Sequence, residues 1–95
     1  MTPLVVACEA TEDGWDCAVT VGDDSAATLH TVHVDRSTFD ELAPPGRTPE
    51  ELIRASFEFL LEREPREAIM RRFDLPIIGS FFSGYAADVR ERLGG

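Results

Sequence analysis

A chain of 95 residues, 43% hydrophobic and 28% charged, carries enough apolar surface for one folded domain and lies far from the composition of disordered chains. Its net charge of −9 repels phosphate backbones and anionic lipid, so neither nucleic acid nor a membrane is an expected partner. No apolar run approaches the ~20 residues of a bilayer span, and "MTPLVVACEA" lacks a basic leader, which makes the cytoplasm the expected location.

The first predicted elements are strands. "PLVVACEA", residues 3–10, is a short apolar run ending in acid; "TEDG" supplies a turn; "WDCAVTV", 15–21, alternates with period two. A second turn cluster, "GDDSA", leads to the β-branched run "ATLHTVHVD", 27–35. The prediction is a three-stranded antiparallel β-meander over 3–35. A loop, 36–48, follows, marked by "APPG", with a short helical turn possible in "STFDEL", 37–42.

The helical part is expected over 49–93. In "TPEE", Thr48 is an N-cap, Pro49 the first helical residue and Glu51 the return partner of a capping box, which starts a helix over 49–63. Its apolar residues, including Leu52, Ile53, Phe57, Phe59 and Leu60, span an arc of about 200° and so need two neighbours. Pro65 begins a second short helix, 65–73. Asp74 caps a third, on which Ile77, Ile78, Phe81, Phe82, Tyr85, Val89 and Leu93 share one face. The predicted fold is therefore α+β: one domain, 1–95, with three helices packed on one face of a three-stranded sheet.

Charge divides the chain unevenly. Residues 1–50 hold ten acids and two arginines, net −8, whereas 51–95 hold eight acids and seven arginines, net −1. The acidic half best suits a basic partner surface. All nine basic residues are arginine, so no Schiff-base amine, lysine base or P-loop lysine is available.

The residues able to do chemistry are few. Taking "TEDG" as a four-residue loop, strand partners sum to 25 and Cys8 lies across from Cys17; taking "GDDS" likewise, partners sum to 47 and Cys17 lies across from His30. Two thiols and an imidazole are zinc-type ligands, but the spacing is not that of the usual closely spaced turn pairs, and a fourth ligand is missing. In a reducing compartment the two thiols are expected to be free and to act as small buried hydrophobes, with His30 a hydrogen-bonded core residue. No serine lies in a G-x-S-x-G elbow. No catalytic residue, metal or cofactor is expected, and the chain is expected not to be an enzyme.

At the carboxyl end, "RERLGG" resembles, over two residues, the di-glycine tail of ubiquitin-like and sulfur-carrier proteins. That resemblance implies a carrier, whereas Gly94 and Gly95 directly follow an amphipathic helix, where a C-terminal glycine is the usual stop. The reading that fits most of the chain is a small acidic interaction or accessory module. Its partner surface is the outer sheet face, with Val5, Ala18, Leu29 and His33, meeting another protein or a second copy. The alternatives are a cysteine-dependent or zinc-binding protein centred on Cys8, Cys17 and His30, and the di-glycine carrier.

Overall fold

A computed structural model describes residues 3–94, in the order β1 (Leu4–Ala10), β2 (Gly14–Val21), β3 (Thr28–Asp35), α1 (Arg36–Leu42), α2 (Pro49–Leu61), a single 3₁₀ turn (Arg66–Ala68), β4 (Arg72–Asp74), α3 (Ile77–Phe81) and α4 (Tyr85–Arg92). The fold is α+β, as expected. The sheet, however, has four strands in the order β1-β2-β3-β4, with β4 parallel to β3, and there are four helices rather than three.

The β1–β2 hairpin has the expected register, Leu4 opposite Val21 through Ala10 opposite Trp15. The β2–β3 register differs by two residues: His30 lies opposite Val19, and Cys17 opposite Val32. The extra residues go into the turn. Gly22 takes φ of +95°, a conformation open to glycine, and Asp24 accepts from Ala26 N and Ala27 N, so the connection uses residues 22–27 instead of four. A shift of two keeps every side chain on its face and changes only its neighbour.

The segment expected as loop 36–48 begins with α1, capped by Asp35, whose Oδ1 accepts from Thr38 N at 2.8 Å. The capping box of α2 is formed: Thr48 Oγ1 accepts from Glu51 N at 3.2 Å and Glu51 Oε1 accepts from Thr48 N at 2.9 Å. The wide apolar arc of α2 meets two layers. Phe57 faces the sheet side, with ring centroids 5.4 Å from His30 and 6.2 Å from Phe73, while Phe59 meets Phe82 at 5.7 Å and Tyr85 at 5.4 Å. Phe57, Phe59, Leu52 and Ile53 are fully buried, each worth about 1.5–3 kcal/mol against exposure.

The helix expected over 65–73 is a correction. Only one 3₁₀ turn forms, after which Arg72-Phe73-Asp74 alternates out, in, out and pairs with Thr31, Val32 and His33. Phe73 then faces Phe57, and Asp74 serves in a strand instead of as a cap. The long third helix is also broken. Phe82 takes an extended conformation, φ −131° and ψ 103°, and Ser83 and Gly84 separate α3 from α4. The break turns Phe81 outward, 66% exposed, while Ile78, Tyr85 and Val89 stay buried. Among the described residues no helix is long and apolar enough to cross a membrane.

Candidate functional site

The two cysteines are joined: Cys8 and Cys17, directly opposite in β1 and β2, form a disulfide, which corrects the expectation of free thiols. Cross-strand geometry outweighs the compartment argument, since opposed residues bring their Cβ atoms within bonding reach. His30 is not part of this pair. It is buried, and both ring nitrogens are occupied: Nδ1 lies 2.8 Å from Met70 O and Nε2 lies 2.8 Å from Thr28 Oγ1. Because a carbonyl only accepts, the proton sits on Nδ1, and Thr28 donates to Nε2. Burial lowers the pKa of His30 below the ordinary 6.5. Among the described residues no group of three or more His, Cys, Asp or Glu side chains is placed to hold a metal ion.

The residues predicted to form a partner surface do share one face. The strand registers arrange the outer side of the sheet as three rows. Val5, Thr20 and Leu29 make an apolar row; Ala7, Ala18, Thr31 and Arg72 a row of mostly small residues; Glu9, Asp16, His33 and Asp74 an acidic row running across all four strands. Val5 and Leu29 are 63% and 65% exposed, and neither the 36–48 segment nor the helices of 77–92 cover the face.

Electrostatics grades this surface from end to end. His33 Nδ1 lies 2.7 Å from Asp16 Oδ1, and Nε2 lies 3.3 Å from Asp13 Oδ1, both on the hairpin end of the sheet. The bond to Asp16 comes first among the causes that raise the pKa of His33 above 6.5. Glu9 stands directly opposite Asp16 and has no ion-pair partner among the described residues. Like charges set opposite each other across a sheet are unfavourable on their own. Between them the small side chains of Ala7 and Ala18 leave a shallow depression of about 340 Å³, and a second of about 280 Å³ lies where Arg72 and Asp74 of β4 adjoin His33.

Sequence reasoning placed Val5, Ala18, Leu29 and His33 on this face and missed its fourth strand. The signal for Arg72 and Asp74 was the polar-apolar-polar alternation of "RFD" between Pro65 and Pro76. At the opposite end of the chain Gly94 has φ of +83° and its N–H donates to Glu91 O, a helix-stop geometry; Gly95, the other half of the di-glycine pair, lies outside the described residues. No protein family matches the chain, and no curated protein or solved structure matches it.

Proposed function

We propose that this chain is a small, non-catalytic interaction module whose outer sheet face docks a basic, amphipathic segment of another protein. The observation that carries the reading is the uncovered face itself, on which an apolar row leads through small residues to an acidic row. A partner arginine or lysine laid over Ala7 and Ala18 has room for its aliphatic stem and brings its charge to Glu9 and Asp16, where it relieves the opposition of two carboxylates. The net charge of −9 draws such a partner from a distance.

The test uses a synthetic amphipathic peptide with leucines along one face and arginines beside it, and a control in which glutamates replace the arginines. Titrated into labelled protein, the arginine peptide should shift the backbone NMR signals of Val5, Ala18 and Leu29. Glu9→Arg and Ala18→Arg should each weaken it about tenfold or more, in line with losing or repelling a central charge contact. Shifts confined to the helices, or equal binding of the glutamate peptide, would refute the reading.

A further inference from the structure

Along its outer edge β1 leaves its backbone unpaired. The bonds from Gly22 N to Pro3 O and from Thr11 N to Gly14 O set the parity of the hairpin: odd-numbered residues of β1 pair with β2. Leu4, Val6, Cys8 and Ala10 therefore turn their N–H and C=O groups to the free edge of the sheet, and among the described residues no backbone hydrogen bond reaches them. The strand at the other end, β4, is three residues long and lies between Pro65 and Pro76. β1 runs for seven residues with no proline and no basic side chain, the devices that ordinarily blunt an edge. The Cys8–Cys17 bond ties it to β2 near its middle, so the edge is held extended before any partner arrives. Beside it, Pro3 and Leu4 face Arg54, Glu58 and Leu61 of α2 across an open trough of about 700 Å³, with room for the inward side chains of a further strand.

We infer that the basic segment binds as a fifth strand, added in extended form to the free edge of β1 and hydrogen-bonded to Leu4, Val6, Cys8 and Ala10. This rests on the outer-face reading and specifies the form its partner takes. Unpaired N–H and C=O groups at every second residue match an extended backbone, whereas a helix has already spent its own. A strand in that position projects alternate side chains onto the outer face, in the rows begun by Val5, Ala7 and Glu9. A leucine opposite Val5 extends the apolar row. An arginine two residues away, opposite Ala7, lies over that small side chain and brings its charge to Glu9. Charge selects a foreign strand over a second copy of β1. Residues 1–35 hold neither arginine nor lysine, so another copy's β1 offers Glu9 no cation. Antiparallel self-pairing that bonds all four edge residues also sets Glu9 opposite the other copy's Val5, a carboxylate against an apolar side chain.

Amide hydrogen exchange on the full chain tests the inference with a peptide of about nine residues, one strand long. It alternates leucine and arginine on one face and carries threonine on the other. Bound peptide should slow exchange at Leu4, Val6, Cys8 and Ala10 about tenfold or more, while Val5, Ala7 and Glu9, already bonded to β2, change little. Two N-methylated versions, one blocked at odd and one at even positions, should behave differently. The version blocked on the edge that meets β1 should lose affinity about tenfold or more, and its counterpart should keep it. Shifts at Val5, Ala18 and Leu29 without slowing at the four amides, or equal effects of the two N-methylated versions, overturn the inference and leave the outer-face reading in place. No shift anywhere on adding peptide refutes both. Slowing at the same four amides when the protein is concentrated without peptide gives the edge to a second copy and overturns the inference as well.

Discussion

Ser56→Ala and Tyr85→Phe are expected to destabilise the protein unequally and non-additively. Ser56 Oγ has one hydrogen, and Leu52 O, 2.8 Å away, can only accept it; the phenolic O–H must then donate to Ser56 Oγ across 2.7 Å. This chain of donors ties α2 to α4 in the core, where Ser56 and Tyr85 are 0% and 2% exposed. Ser56→Ala strands the buried phenol and should cost about 1–3 kcal/mol. Tyr85→Phe removes the stranded group altogether and leaves Ser56 bonded to Leu52, so about 0.5–1.5 kcal/mol is expected. In a Tyr85→Phe background, Ser56→Ala strands nothing and should cost little more, a coupling of about 1–2 kcal/mol. Urea denaturation of the four proteins measures it. Single costs that add to within about 0.3 kcal/mol would refute the assigned donor direction. An independent readout exists because Tyr85 is the only tyrosine. Burial holds its pKa above the ordinary 10.0, so the folded state favours the neutral phenol. That contribution is complete below pH 10 and is lost as the pH rises beyond it, so phenolate absorbance should emerge together with alkaline unfolding and not before it.

The two histidines should titrate on opposite sides of 6.5 in NMR, His33 above it and His30 below. His33 therefore stabilises below pH 6.5 and loses that contribution as the pH rises through its folded pKa, whereas His30 favours the fold above 6.5 and loses that contribution on acidification; Asp16→Asn should bring His33 back toward 6.5, and an inverted order of the two would refute the assigned contacts. Reducing the Cys8–Cys17 bond in purified protein should cost about 2.7 kcal/mol by the chain entropy of a loop of about ten residues, with the sheet still formed. An unchanged denaturation midpoint, or two cysteines alkylated before any reductant is added, would refute the pairing.

What the sequence disclosed depended on whether local chemistry or tertiary pairing decided the element. The β1–β2 hairpin was legible because the apolar run before "TEDG" and the period-two alternation after it, joined by a four-residue turn, left one register that buries Leu4, Cys17 and Val19 together. The next turn was misread by two residues because Asp24 folds back on Ala26 and Ala27, and a two-residue error is invisible to the hydrophobic pattern. The faces were right and the neighbours wrong, so the row of Cys8, Cys17 and His30 dissolved. β4 was hidden for another reason. "REAIMRRF" has helical propensity, and only the open edge of β3 and the space beside Phe57 make a strand of Arg72–Asp74.

The break after α3 shows where periodicity stops being informative. Ile77, Ile78, Phe81, Phe82 and Tyr85 fit one helical face, and the pattern runs unbroken through Phe82–Gly84, where the backbone leaves the helix. Apolar spacing identifies residues that need burial somewhere; it does not say that the chain itself supplies the cover. Val5 and Leu29 on one side of the sheet, and Met70, Ile77 and Phe81 on the other, are the places where it does not. Charge then separates the two surfaces, the first ending in the row from Glu9 to Asp74 and the second bordered by the nearly neutral half of the chain.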